Sequence, residues 1–514
     1  ITIMLCAIFL AAGATVWAGH GGIPNENSGK PPEDPEDPPE EPEDPPDTPI
    51  DGYYFWRLGH MDGPHDSSKA LGISRDGKTA VGSTVVVDFT RAWRLDIDWA
   101  IATDDGVPPL YNELQVQEDL GVVAPSQPSA AYAASDMLDE NGNAISCDNY
   151  DKVNLVLEWC GSKPVGTYNV GQVSYGIEWL LPVLDRVGET FEAGIDFWAI
   201  PDFGGGIADM QIKDVSADGT ILVGTGNAKT GPKAFRADTA VLDEDGVPVA
   251  VQLTIQDAVT LQTLQSSSAQ AVSADGTIIA GYGSTKIANR AFVTTFLGMD
   301  ETTTGEALLE SYILPMLGGG KFAEAYALTT VADETSGDIM AIYIAGRCDS
   351  PKGPVACIWF QGDDPATSEI ETWVIREIGA LSKKSKDAAA LGIAYRPGST
   401  AGELIVVGRS KTILYPSEAF VWTGNPVLEP DGPYTLPDGT VNDYIGYFYD
   451  LEKVLTKTGA GEASLMGSSW ILYEATGISA AGDRIVGWGI NPEGGIEAWL
   501  VTNFPYDDLE FTHE

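Results

Sequence analysis

The chain has 514 residues, with 75 acidic against 29 basic side chains and a formal charge of −46. A surface so anionic disfavours nucleic acid and anionic lipid, and leaves cations, basic surfaces and neutral glycans as partners. Abundant glycine, 58 residues, with frequent Val, Ile, Thr, Tyr and Trp suits an all-β chain with many tight turns and disfavours a helical bundle.

Residues 1–18, "ITIMLCAIFLAAGATVWA", form an apolar run that reads as a secretory signal ending at Ala18. The run is short for a bilayer span, which needs roughly 20 residues. Cys6 lies too early in it, and after the wrong residues, for lipoprotein attachment. Residues 19–50 read as a disordered acidic linker: the twenty residues 31–50 hold nine prolines and nine acidic residues. Such a segment has little to bury and extends about 3.1 Å per residue.

From residue 51 to 506 one device recurs: Ala-x-x-Ile/Val-Ser-x-Asp-Gly, an apolar strand ending in Gly, a variable loop, then Ala-Phe or Ala-Trp. It begins at Ala70 in "ALGISRDGKTAVGS", with "RAWRL" following at Arg91. A worn copy has "AYAASDM" from Ala131 as first strand, "NLVLEWC" as second and "SYGIEWL" as third. The near-identical stretches "VSADGTILVGTGN" from Val215 and "VSADGTIIAGYGS" from Val272 are followed by "KAFRA" and "RAFVT". Further copies start at Ala325, Ala390 and Ala475, followed by "VACIWF", "EAFVWT" and "EAWLV". A fourth element precedes each copy: "FWRLGHM", "EDLGVV", "WAIPDFGGG", "VTLQTL", "ILPMLGGG", "VIREIGAL" and "YFYDLEKVL".

Four short strands in each of seven units predict an all-β, seven-bladed β-propeller at 51–506, with residues 507–514 a C-terminal tail. Asp76-Gly77, Asp218-Gly219 and Asp275-Gly276 read as structural turns, the Asp accepting backbone N–H bonds and the Gly taking positive φ. The uniformly apolar strands after them are expected to be covered on both faces by neighbouring blades. If "FWRLGHM" is an outer strand of the preceding unit, residues 53–59 complete the last blade and close the ring.

The Leu-Gly element, the Gly-Ile-Ser-x-Asp-Gly turn, the Val-Gly-Ser strand and the Ala-Phe-x-Trp strand, in that order, resemble the bacterial extracellular repeats called HAF, after a His-Ala-Phe strand. The resemblance covers most of residues 52–503. It implies a secreted or surface protein with repeats of this kind and no well-defined activity. The namesake His is replaced by Arg91, Lys233, Arg290, Glu418 or Glu497, so it is not needed here for chemistry.

In an exported chain Cys147, Cys160, Cys348 and Cys357 are expected to form disulfides, Cys348 and Cys357 across a hairpin, and Cys147 with Cys160. Neither pair has the Cys-x-x-Cys spacing of structural zinc. Histidine is scarce, and only His60 and His65, in "GHMDGPHDSS" with Asp62 and Asp66, lie outside the tails. That stretch reads as an exposed loop, with a metal site the sharper alternative. Acidic turns at Ala102, Leu138, Leu242 and Pro430 lack the downstream Glu of a calcium loop and read as Asp-Gly hairpins, weak Ca²⁺ binding aside.

No catalytic residue and no cofactor is therefore assigned. The expected function is a non-catalytic binding or structural module, secreted or at the cell surface, monomeric, recognising an extracellular protein or glycan through variable loops 95–130, 236–265, 295–312 and 423–446. The alternatives are a glycan-active enzyme with paired carboxylates and a calcium-dependent adhesin.

Overall fold

The second strands of the blades are apolar at successive positions because both of their faces are covered. Ile221 to Gly224 are all buried, as are Leu404 to Gly408. In this computed structural model the described residues run from Tyr54 to Phe504, leaving aside 60–66, 87–88, 98–117, 121–127, 137–161, 171–172, 181–195, 201–202, 204–208, 245, 300–306, 319, 334–335, 337–338, 363–371, 383–386, 397–403, 427–433, 436–440, 443–445 and 458–468. The expected signal, linker and C-terminal tail lie outside them.

The chain folds as a seven-bladed β-propeller, each blade an antiparallel sheet of four strands. In order from the inner strand outward, blade 1 comprises Ser67–Ile73, Thr79–Val86, Phe89–Asp96 and Glu118–Asp119. Blade 2 comprises Ser129–Ala134, Pro164–Val170, Val173–Leu180 and Asp196–Ile200, and blade 3 Gln211–Val215, Ile221–Ala228, Gly231–Leu242 and Pro248–Gln252. Blade 4 comprises Ser266–Val272, Ile278–Ser284, Asn289–Met299 and Ala307–Ile313, and blade 5 Ala323–Ala332, Ile339–Ser350, Gly353–Gly362 and Thr372–Gly379. Blade 6 comprises Ala388–Tyr395, Leu404–Ser410, Glu418–Gly424 and Gly446–Asp450. Blade 7 is Ile471–Ile478, Ile485–Ile490 and Ile496–Thr502, with Tyr54–Arg57 from the start of the domain as its outer strand. The ring is thus closed by a strand from the opposite end of the chain, as residues 53–59 were expected to do.

Each of seven apolar clusters joins two consecutive blades. Trp93, Phe235, Phe292, Phe420 and Trp499, the aromatics of the Ala-Phe/Trp strands, are fully buried in them. Each lies directly opposite a glycine of the second strand, as Trp93 opposite Gly82 and Phe420 opposite Gly408. A Cβ on Gly82 would meet both the Trp93 ring and the Lys69 carbonyl, so glycine there is a requirement of close approach. In blade 5 the aromatic is replaced by Cys357, which is bonded to Cys348 on the adjacent strand, Cα–Cα 6.2 Å.

Buried serines bind the blades to one another. Ser68, Ser129 and Ser267 on inner strands accept the backbone N–H of Ala498, Ala92 and Ala234 of the preceding blade, at 2.9 to 3.0 Å.

Several strand assignments are corrected. The second strand of blade 2 is Pro164–Val170, and "NLVLEWC" lies outside the described residues; Gly166, opposite Ala131, takes the glycine's place. The outer strand of blade 3 is Pro248–Gln252, because the long third strand returns at once through an Asp243–Val247 hairpin, so "VTLQTL" is a loop. That outer strand begins at Pro248, where the missing N–H is tolerated. In blade 4 Ile313 ends the outer strand rather than starting it. Segments 236–265 and 295–312, read as recognition loops, therefore contain parts of third and outer strands. After Asp450, which accepts the Lys453 N–H at 3.3 Å, "LEKVLTK" is helix α1 (Leu451–Lys457), burying Leu451 and Leu455 on one face.

Candidate functional site

The site starts from an irregularity repeated in every blade. Each inner strand carries an extra residue relative to its partner at one equivalent place, between Ala70 and Gly72 in blade 1 and likewise in all the others, blade 7 having a second at Tyr473. A β-bulge turns such a residue out of the pleat. The bulged residues, in ring order, are Leu71, Tyr132, Lys213, Gln270, Tyr326, Leu391 and Thr476, and all seven line one central channel of about 190 Å³. Four consecutive blades thus contribute polar or aromatic groups, while Leu391 and Leu71 supply an apolar arc. Thr476 uses its hydroxyl on the Ala70 carbonyl at 2.9 Å.

The floor of the channel is tied by the turns. In blade 3, Ser216 Oγ donates to Asp218 Oδ1 at 2.6 Å, Asp218 accepts Thr220 N–H at 3.0 Å, and Gly219 has φ +74°. Asp275 and Gly276 repeat this arrangement, and Asp76 and Gly77 differ little. Burial alone would raise the Asp218 and Asp275 carboxyls, but the hydrogen bonds of Ser, Thr and backbone outweigh it and lower both. The turns also bind one another: Ala480 N–H donates to the Arg75 carbonyl, Asp76 N–H to Asp136 Oδ1, Asp136 N–H to Ala217 O and Ala217 N–H to Ala274 O. The Arg75 side chain reaches from blade 1 to the Val272 carbonyl and lies 4.0 Å from Asp214. Asp214 occupies a position that is Gly or Ala in the other six blades. It accepts Val272 N–H at 2.8 Å, and burial raises its carboxyl against the lowering effect of Arg75 and these bonds.

On the opposite face, where the inner strands begin, the channel opens into a pocket of about 400 Å³ between blades 3 and 4. Its wall is hydroxyl- and amide-rich: Gln211, Thr225, Asn227, Ser266, Ser268, Gln270, Ser284 and Asn289, with Asp209, Lys213 and Tyr282. Lys213 and Gln270 belong to both spaces. Thr225 and Ser268 hydroxyls bond across the blade interface, Gln270 Nε2 donates to Ser268 Oγ at 2.6 Å, and Ser266 and Ser284 hydroxyls are 2.6 Å apart. The Tyr282 ring packs edge-on against Tyr326, centroids 6.1 Å apart, and the Tyr326 hydroxyl donates to Glu324.

The equivalent interfaces are filled with pairs of other chemistry. Arg347 meets Asp387 at 2.8 Å, Arg409 meets Glu474 at 3.3 Å, and Lys69 sits 3.9 Å over the Trp488 ring. The fold repeats the positions; the side chains differ.

No protein-family model matches the chain, and no curated protein matches it in sequence. Among solved structures it is similar to an oligogalacturonate lyase in complex with manganese, with a TM-score of 0.36 and 10% identity over 88% of this chain and 96% of the other. It is also similar to Sqt1 from Chaetomium thermophilum, with a TM-score of 0.36 and 14% identity over 87% of this chain and 97% of the other.

The expected disulfide residues Cys147 and Cys160 lie outside the described residues, as do His60, Asp62, His65 and Asp66 and the acidic turns at Ala102, Leu138 and Pro430. The turn at Leu242 is a hairpin in which Asp243 Oδ1 accepts Val247 N–H at 2.9 Å and Gly246 has φ +78°. Among the described residues no group of three or more His, Cys, Asp or Glu side chains is placed to hold a metal ion, and no helix is long and apolar enough to cross a membrane. The channel residues, Lys213 and Gln270 of the pocket among them, are variable letters inside a repeated motif, and a reading of the repeat passes over them. The signal was present in the first x of Ala-x-x-Ile, which varies from copy to copy more than its neighbours do.

Proposed function

We propose that the protein is an exported propeller of the HAF-repeat kind that acts as a non-catalytic glycan-binding module, with the blade 3–4 pocket and the adjoining channel mouth as its site. The observation that carries this reading is the pocket wall, hydroxyl and amide groups arranged about the Tyr282 ring. Saccharides are recognised by such groups, which exchange hydrogen bonds with their hydroxyls while an aromatic ring covers their apolar face. Among the described residues that line the pocket Asp209 is the single carboxylate, whereas glycoside hydrolysis ordinarily uses a pair. The anionic surface supports a small or locally recognised glycan over a long polyanion, which the −46 net charge would repel.

The purified protein titrated calorimetrically against a glycan panel should retain ligand without releasing sugar, and Tyr282→Ala should weaken that binding at least tenfold. Release of reducing sugar overturns the non-catalytic reading. Full affinity in Tyr282→Ala overturns the placement of the site.

A further inference from the structure

Lys213 is out of keeping with its ring. The other six bulged residues are uncharged, and lysine at this depth is disfavoured by burial, which pushes its ammonium below the ordinary range while Asp209 acts the other way. Its head group lies 4.2 Å over the Tyr132 ring, and among the described residues no carboxylate lies within ion-pair distance of it. Asp209, the acid of the same pocket, takes a hydrogen bond from Gln211 Nε2 at 3.3 Å instead. The neighbouring interfaces show the contrast: Arg347 and Arg409 at the strand-start face each meet a carboxylate of the next blade. A ring contact satisfies one side of an ammonium and leaves donors for the space in front of it. That space is where pocket and channel meet.

We infer that Lys213 binds a carboxylate on the ligand, so that the saccharide taken by this pocket is an acidic one, seated with its carboxylate at the channel mouth and its hydroxyls along Ser266, Ser268 and Gln270. The inference rests on the glycan reading above and narrows it. An incoming carboxylate supplies the direct ion pair that Lys213 lacks among the described residues, Asp209 acting on it only from beyond that distance, and in this half-buried place such a pair is stronger than at the open surface. The anionic remainder of the protein then acts as a filter, admitting a single acidic sugar and opposing a densely charged chain.

The test uses two disaccharides that differ only in their terminal unit, glucuronic acid in one and glucose in the other, titrated into the full-length protein and into Lys213→Met and Lys213→Arg. The acidic probe should bind at least tenfold more tightly than the neutral one; Lys213→Met should abolish that preference and Lys213→Arg keep most of it. Melting temperatures of the variants confirm the fold. A sialic-acid-terminated probe in a third arm reports which carboxylated sugar fits better. Equal binding of the first two probes, or a preference that survives in Lys213→Met, overturns the inference and leaves the glycan reading standing. Binding of no saccharide by the folded wild type overturns both.

Discussion

Arg57 and Glu497, 440 residues apart in the chain, form a two-pronged ion pair at 2.8 and 3.1 Å, with the Glu497 side chain 1% exposed. Glu497 also accepts Asn491 Nδ2 at 2.7 Å and Gly59 N–H at 3.2 Å, and Trp56 Nε1 donates to Thr502 Oγ1 at 3.1 Å on the same seam. The seam is the ring closure. Glu497 holds the repeat position that is Arg91, Lys233, Arg290 and Glu418 in other blades, and in the last blade that position joins the two ends of the domain.

Arg57→Ala leaves a buried carboxylate without its cation, and breaking such a pair costs about 3–5 kcal/mol. Scanning calorimetry should show a clear drop in Tm, and deletion of residues 51–60 a larger one. An unchanged melting curve in the deletion would mean that the ring holds without its closing strand.

The second-strand glycines make a separate prediction. A Cβ on Gly281 would overlap the Ser268 carbonyl at the bulge, so Gly281→Ala should destabilise by about 1–3 kcal/mol through overpacking. Gly231 has open space where its Cβ would stand, but its φ of +104° makes alanine strained there for a different reason. Urea unfolding of the two variants separates steric overlap from backbone strain, since valine at position 281 should be worse than alanine.

Stability should fall as pH rises from about 4 to about 7. Burial raises Glu178 to about 7, against the opposing effect of Lys163 at 3.6 Å, and raises Asp136 to about 6 despite the Asp76 N–H bond. Both carboxyls hold a proton in the folded state over a range where the unfolded chain has lost it, so the folded state is favoured on the acid side and that advantage disappears through the window. Asp218, Asp257 and Asp275 are lowered, burial notwithstanding, by their hydrogen bonds; their contribution is lost in the opposite sense, below about pH 4. Tm should therefore be higher at pH 5 than at pH 8. Glu178→Gln should reduce this difference and stabilise the protein at pH 8 by roughly 2–3 kcal/mol; a variant with the wild-type profile would contradict the assignment.

The Cys348–Cys357 bond closes a short loop, nine residues apart in sequence. Chain-entropy reasoning gives such a link roughly 2–3 kcal/mol. Cys348→Ser with Cys357→Ser should lower Tm by that equivalent and reduce its response to reductant.

Blade architecture was legible from the turns and strands because those residues answer to local and nearest-neighbour physics. Gly77, Gly219 and Gly276 take φ of +74° in their tight turns, and "TILVG" is apolar because a neighbouring blade covers each face. Less legible were the places where pairing depends on chain length: the outer strand of blade 3 went to Pro248–Gln252 because a tight hairpin offers it first, although "VTLQTL" has the better apolar pattern.

Local chemistry along the chain was enough to dictate a repeating β unit, its number, and the residues that make its turns and seams. Assembly of the ring settled the rest: the first x of each Ala-x-x-Ile faces a common axis because a bulge rotates that side chain out of the sheet and a closed ring brings the seven together. Leu71, Lys213 and Leu391 are far apart in the chain and similar in motif position; it is ring closure by Tyr54–Arg57 that makes them neighbours and gives them a channel to share.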